Sequence, residues 1–135
     1  MPVFCGIDWA EEHYDVALVD EAGVVLIRRR IADDATGYRL LLDLLAEHGD
    51  AQDKPIPVAI ETPRGLVVAC LRRTGRQVYA INPLAVARNH ERALPTDAEL
   101  AQSIAVPARA RQDAAWNRQH PTEAARLTRS HLAAR

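Results

Sequence analysis

Val3–Ala10, with the sequence VFCGIDWA, is a run of mostly apolar residues with β propensity that contains a single acid, Asp8. Such a run predicts a buried strand that delivers a carboxylate towards its carboxyl end. Open α/β sheets bind their ligands beyond the carboxyl ends of the strands. Asp8 is therefore the first candidate functional residue.

Working outward from this strand, polar or glycine-containing turns at residues 11–13 and 21–23 separate it from two further β-like runs. Three strands joined by short turns predict an antiparallel meander. Beyond it, helical and strand patterns alternate, which predicts parallel strands joined by crossover helices in a mixed α/β sheet. The predicted strands cover residues 3–10, 14–20, 24–31, 58–61 and 77–81, and the predicted helices cover 38–48, 66–74, 84–92 and 98–116.

Glu61 repeats the pattern of Asp8, because it ends a short apolar strand that Pro63 prevents from continuing. Two carboxylates at the ends of neighbouring strands would suit Mg²⁺ or Mn²⁺. These cations prefer oxygen ligands, and magnesium sites commonly use one or two carboxylates together with a substrate phosphate. From the residues alone, a pair of ordinary strand-end acids explains the same pattern.

Composition predicts one domain with an aliphatic core, since the 135 residues are 48% hydrophobic but only 4% aromatic. The net charge of −1 conceals an acidic segment, residues 1–63, followed by a basic one, 64–135. A local basic patch is what phosphate binding requires, although compositional drift in an arginine-rich chain explains the charge equally well. The run Arg28–Arg30 is interpreted as a solvated strand end. The candidate nucleic-acid-binding residues are Arg64, Arg72, Arg73, Arg76 and Arg88.

The sequence lacks the features that define several other classes of protein. Cys5 and Cys70 stand apart within apolar runs, which predicts buried thiols in a reducing compartment. No leader or apolar span is present, so we expect a cytoplasmic protein without membrane contact. The scattered glycines form no phosphate-binding loop. An actin-like phosphotransferase stays open on the Gly-Ile-Asp sequence, although Trp9 stands where a small residue is expected.

Five segments occur in the same order as in a known family: residues 6–10 (GIDWA), His13, 16–20 (VALVD), 60–65 (IETPRG) and 78–83 (VYAINP). Over residues 3–92 the chain resembles the amino-terminal domain of the DEDD insertion-sequence transposases, the Piv/MooV-type DNA recombinases. That domain is similar to the Holliday-junction resolvase RuvC. The resemblance implies a ribonuclease H-like fold.

The resemblance also implies a metal-dependent DNA strand-transfer enzyme. In the family, four acids in the order Asp, Glu, Asp, Asp hold a divalent metal, Mg²⁺ or Mn²⁺, and a carboxyl-terminal domain supplies a serine for strand cleavage. Asp8 matches the first acid and Glu61 the second. The implied partners are DNA and a structured guide RNA, and a homo-oligomer is compatible with such a chain.

The chain departs from the family pattern after residue 92. The Lys-Ser-Asp and Asp-Ala motifs that supply the last two acids are missing, and the sequence runs directly into Pro95. This predicts an internal deletion, so Asp97 and Glu99 are not assigned as the missing acids. No family pattern is evident from Pro121 onward. The serine-bearing domain is absent from the sequence given, and neither Ser103 nor Ser130 inherits its role.

These observations predict three parts: an incomplete RuvC-like domain over residues 1–92, a helical segment over 93–120 that Pro107 interrupts, and a frayed tail over 121–135. The predicted function is that of a transposase fragment that is inactive by itself, because two of four metal ligands are lost. The alternative is a non-catalytic nucleic-acid-binding or regulatory remnant that acts through its arginines.

Overall fold

A computed structural model describes residues 2–10, 12–61, 65–81 and 116–135. Its centre is a five-stranded sheet with the strand order β3-β2-β1-β4-β5. The strands β1, β2 and β3 pair antiparallel, whereas β4 and β5 extend the sheet parallel to β1, which confirms the predicted mixed α/β sheet. The strands are β1 (Val3–Ala10), β2 (His13–Asp20), β3 (Val25–Ala32), β4 (Val58–Ile60) and β5 (Val78–Ala80).

Within the described residues, three helices pack on this sheet: α1 (Ala35–Glu47), α2 (Leu66–Arg73) and α3 (Pro121–Ala134). The helix α1 begins earlier than predicted, because the Asp34 carboxylate accepts a hydrogen bond from the Gly37 N–H at 2.7 Å and caps the first turn. The predicted helix at 84–92 and almost all of the one at 98–116 lie outside the described residues, as do Arg64 and Arg88. No helix in the described ranges is long and apolar enough to cross a membrane.

Strand alternation gives the sheet two different faces. The aliphatic face, under α1 and α2, holds one cluster of buried side chains. The second, which we call the α3 face, holds the other cluster. The aliphatic face is made chiefly by Cys5, Ile7, Val16, Leu18, Ile31, Leu41, Leu45, Val67, Val68 and Leu71. The α3 face is made by Phe4, Val19, Ala59, Tyr79, Ile81, Ala124, Ala125 and Leu127.

The helix α3 overturns the expectation of a frayed tail, because it packs closely across β1, β2 and β4. Gly6 permits this approach: a Cβ added at Gly6 would overlap the backbone carbonyl of Ser130. Ala124 and Ala125 are buried against the sheet as well. Small residues make this interface, so it leaves only a weak hydrophobic period in the sequence.

The thiols of Cys5 and Cys70 differ in how deeply they are buried. Cys5 is fully buried, as predicted, and burial raises the pKa of its thiol to about 12. Cys70 is only partly buried, which corrects the expectation for that residue. The helix α2 is oriented so that Val67, Val68 and Leu71 face the core. Cys70 therefore lies at the edge of the core.

Candidate metal centre

Asp8 lies near the carboxyl end of β1 on the α3 face, directly opposite Asp15 of β2. Burial raises the pKa of Asp8, because desolvation disfavours the charged carboxylate. The charges of His131 and Arg135 act in the opposite direction, whereas the charges of Glu61 and Asp15 raise the pKa further. A partly desolvated acid beside other acids is the kind of group that a cation stabilises.

Glu61 follows β4 immediately, and the parallel register that pairs Ile7 with Ile60 brings Glu61 beside Asp8. The structure therefore brings together the two carboxylates that the sequence singled out. Their convergence follows from the parallel pairing of β1 with β4, since parallel neighbours end at the same edge of a sheet.

Gly65, the first residue described after Glu61, has a φ of +112°. A Cβ at this position would collide with the hydroxyl of Tyr14, a residue whose side chain is fully buried. One residue into α2, the Val67 N–H donates to the Asp33 carboxylate at 3.3 Å. These contacts fix the start of α2 against Tyr14 of β2 and against Asp33, which follows β3.

His131 is the third member of the cluster, and the sequence analysis did not identify it. Its ring is fully buried on α3, with Nδ1 3.2 Å from the Ile7 carbonyl oxygen and Nε2 3.1 Å from Glu61 Oε2. Ligand atoms of Asp8, Glu61 and His131 all lie within 4.8 Å of one another. The sequence offered no signal for it, because a lone histidine in a segment expected to fray has no spacing relation to Asp8.

The surroundings of His131 favour a positive charge beside Nε2. The Ile7 carbonyl can only accept, so Nδ1 carries the hydrogen of that contact. Nε2 then faces a carboxylate oxygen, and two acceptors at 3.1 Å require a proton or a cation between them. A histidine whose other nitrogen donates to a backbone carbonyl is the usual arrangement of a metal ligand. Two carboxylates and one imidazole fit Mn²⁺ or a similar divalent cation.

The predicted nucleic-acid-binding arginines divide into two groups. Arg72 and Arg73 are exposed at the end of α2, the helix that covers the aliphatic face, so they lie on the side of the sheet away from Asp8. Arg76, by contrast, does not point into solvent. Its side chain is only 8% exposed, because it lies in an ion pair with Asp50.

The Arg76–Asp50 pair is bidentate, with Nη1 and Nη2 each 2.7 Å from one carboxylate oxygen. Nη1 also donates to the Ile56 carbonyl, and the Ile56 N–H donates to Asp50, so the pair closes the loop before β4. These hydrogen bonds hold the pKa of Asp50 below its usual value. The role of Arg76 in the described structure is therefore to stabilise the fold.

Two curated proteins are similar to this chain. The mini-circle putative transposase for IS117 of Streptomyces coelicolor is 52% identical over 147 residues, with 88% of this chain and 36% of that protein covered. A putative transposase, y4uE, of Sinorhizobium fredii is 36% identical over 90 residues, with 66% of this chain and 25% of that protein covered. The chain thus spans about a third or less of the length of these relatives.

Among solved structures, the chain is similar to RuvC of T. thermophilus in complex with a Holliday junction substrate. That similarity covers 98% of this chain and 93% of RuvC, with a TM-score of 0.50 and 16% identity. At this identity the similarity speaks for the fold alone. It supports the predicted RuvC-like fold.

A family model described as a transposase, that of the IS110-type DEDD transposases, matches residues 5–132. The match extends well past Pro121, so the expectation that no family pattern follows that residue was wrong. It also includes the segment that carries His131. The family model and the Streptomyces relative together confirm the resemblance drawn from the motifs, and the chain belongs to the IS110-type DEDD transposase family.

Proposed function

We propose that this chain is a piece of a DNA transposase whose Asp8 and Glu61 bind a divalent cation, Mg²⁺ or Mn²⁺, used for DNA strand cleavage and transfer. Membership of the transposase family supports DNA as the substrate. The observation that carries the proposal is the convergence of Asp8, Glu61 and His131 within 4.8 Å at one end of the sheet. Three donors of this chemistry are suited to a metal ion.

When bound, the cation supplies Lewis-acid stabilisation of the charge that develops on a scissile phosphate. Asp8 and Glu61 contribute carboxylate oxygens to hold it, and His131 contributes Nε2. The Ile7 carbonyl orients the imidazole through Nδ1, so the same strand positions both Asp8 and the histidine. Close packing of α3 on Gly6 keeps this arrangement partly shielded from water.

We further propose that the chain does not transpose DNA by itself. The alignment with the Streptomyces relative runs over 147 residues, whereas this chain has 135. The relative therefore has residues within the aligned region that this chain lacks. This supports an internal deletion, which the missing Lys-Ser-Asp and Asp-Ala motifs assign to the stretch after residue 92, between an incomplete domain and the helical segment that follows. The loss of two of four acids lowers metal affinity and removes the geometry that strand transfer requires.

The partners of this function are DNA, a structured guide RNA and a second copy of the chain, in a cytoplasmic setting. These belong to the proposal, because the chain spans only part of its relatives. We propose that segment 93–120 is a helical connection. Segment 121–135 carries His131.

Metal binding is tested by the thermal unfolding of the purified chain in MnCl₂ and in EDTA. We expect Mn²⁺ to raise the unfolding temperature, because a ligand that binds only the folded state stabilises it. Asp8→Asn and Glu61→Gln should each abolish the rise. The matched control is Asp15→Asn, which removes a neighbouring carboxylate outside the three-residue cluster and should leave the rise in place. A chain that does not respond to Mn²⁺ would contradict the proposed centre.

Activity is tested with plasmid and branched DNA in the presence of Mg²⁺ or Mn²⁺. We expect neither cleavage nor joining by the chain alone. Cleavage that disappears in Asp8→Asn would show instead that the remaining ligands suffice, and would refute the proposed inactivity.

A second candidate is a non-catalytic nucleic-acid-binding remnant. The exposed positions of Arg72 and Arg73 favour it, because guanidinium groups in solvent can contact phosphates. This function predicts salt-dependent DNA or RNA binding that persists in EDTA and in Asp8→Asn. Absence of such binding at low salt would remove this candidate.

A further inference from the structure

The edge strand β3 carries three consecutive exposed arginines, Arg28, Arg29 and Arg30. Their orientation follows from the register. Arg29 pairs with Val16, which belongs to the aliphatic face. Arg28 and Arg30 pair with Ala17 and Asp15, so strand alternation directs them to the α3 face. Two of the three arginines therefore share a face with Asp8.

Arg30 is also level with the metal centre along the strands. Asp8 of β1 lies opposite Asp15 of β2, and Asp15 lies opposite Arg30 of β3. The backbones of Asp8 and Arg30 are thus two strand spacings apart, or about 10 Å. A single extended nucleic-acid strand is long enough to contact both.

A groove of about 360 Å³ separates β3 from the end of α3. Its walls include Arg28 and Arg30 on one side and Ala133 and Arg135 on the other. Asp15, which lies directly opposite Asp8 of β1, also lines the groove. The groove is therefore adjacent to the metal centre.

The charge of the groove is mainly positive. Arg30 donates Nε–H to Asp15 at 3.0 Å, which orients the guanidinium while its side chain stays 67% exposed. Neither Arg28 nor Arg135 forms a side-chain ion pair with another described residue. The carbonyl end of α3 contributes partial negative charge, equivalent to about half a unit. The guanidinium groups of Arg28, Arg30 and Arg135, with that of Arg29, which also lines the groove, outweigh this, the charge of Asp15 and the α-carboxylate of Arg135.

We propose that Arg28, Arg30 and Arg135 form a phosphate-binding groove that holds a nucleic-acid backbone beside the Asp8 centre. This inference rests on the proposed function in taking the polyanion to be DNA. Guanidinium groups recognise phosphate through paired N–H donors, and an arginine already oriented by a carboxylate loses less entropy on binding. Charged residues on an edge strand can also serve only to block strand pairing, and the experiment separates that role from binding.

The test is the fluorescence anisotropy of labelled single-stranded and duplex DNA with the purified chain in EDTA, as a function of salt. We expect Arg28→Gln/Arg30→Gln to weaken single-strand binding roughly tenfold and to reduce the slope of log K against log salt by about 1.4. The matched control is Arg39→Gln/Lys54→Gln, which removes the same charge from two exposed positions that do not line the groove and should change the affinity little.

Arg28→Gln alone keeps the Asp15–Arg30 pair intact, so its weaker binding cannot come from a disturbed β2–β3 contact. Thermal unfolding of each variant verifies that it folds. Wild-type affinity in Arg28→Gln/Arg30→Gln, equal losses in both double variants, or no binding by the wild type at low salt would each overturn the groove. Because binding is measured in EDTA, it is independent of the Mn²⁺ response that tests the metal centre.

Discussion

The two faces of the sheet are built from the same strands but differ in chemistry. The aliphatic face is closed by α1 and α2 with branched apolar side chains that exclude water. The α3 face is closed by a helix whose buried residues include Thr128, Ser130 and His131. Adjacent residues thus have different roles: Ile7 packs in the core, whereas Asp8 belongs to the candidate site.

Because of this difference, neighbouring residues on one strand contribute either to the stability of the fold or to the candidate site. Substitutions on the aliphatic face should unfold the protein, because they remove apolar contacts that many residues share. Substitutions on the α3 face should displace the helix or remove a ligand while the sheet persists. The predictions below test this separation from the largest expected effect to the smallest.

Leu45→Ala should destabilise the fold by about 3 kcal/mol, because it leaves a cavity in the aliphatic core. Urea unfolding followed by circular dichroism measures this loss. The control is Leu40→Ala on the same helix, where the side chain is half exposed and its truncation should matter little. Equal losses in the two variants would contradict the packing of α1.

Breaking the Asp50–Arg76 pair with Asp50→Asn should cost about 2 kcal/mol at neutral pH, because it leaves a nearly buried guanidinium without its charged partner. The pKa of Asp50 is lowered in the folded state. Its stabilising contribution is therefore complete above the unfolded-state pKa of about 3.9 and is lost as the pH falls through the folded-state pKa.

Urea unfolding at several pH values tests this dependence. The stability difference between wild type and Asp50→Asn should shrink in acid, and a difference that stays constant would contradict the pair. Asp53→Asn, in the same loop but exposed, is the matched control and should show no such difference.

Gly6→Val should act on the other face, because its side chain would meet the Ser130 carbonyl and push α3 from the sheet. We expect a loss of about 1–3 kcal/mol, typical of overpacking. Amide hydrogen exchange should accelerate in α3 while α1 stays protected. If α1 and α3 lose protection together, the two faces do not behave separately.

Much of the fold was predictable because its signals are local. Alternation of apolar and polar residues and the turn residues located the five strands. The two acids were found because each stands near the end of an apolar run, and the two runs form neighbouring parallel strands. His131 was not predictable, since it reaches Glu61 only through the docking of α3 across 70 residues of sequence. Arg76 was misplaced for the same reason, because its partner Asp50 is 26 residues away.

The arginines of β3 show the other limit of sequence reasoning. A run of three exposed charges on a strand looks like a solvated end until the register is known. Pairing with β2 then divides the run between the two faces and sets Arg28 and Arg30 on the side of Asp8. Which charges matter for binding is a property of the sheet and not of the run.

Anomalous X-ray diffraction from crystals soaked in MnCl₂ would show whether the α3 face holds a divalent cation. We expect one Mn²⁺ peak in contact with carboxylate oxygens of Asp8 and Glu61 and with Nε2 of His131. Crystals of Asp8→Asn should lose that peak. Manganese bound elsewhere, with no peak between these three side chains, would contradict the account.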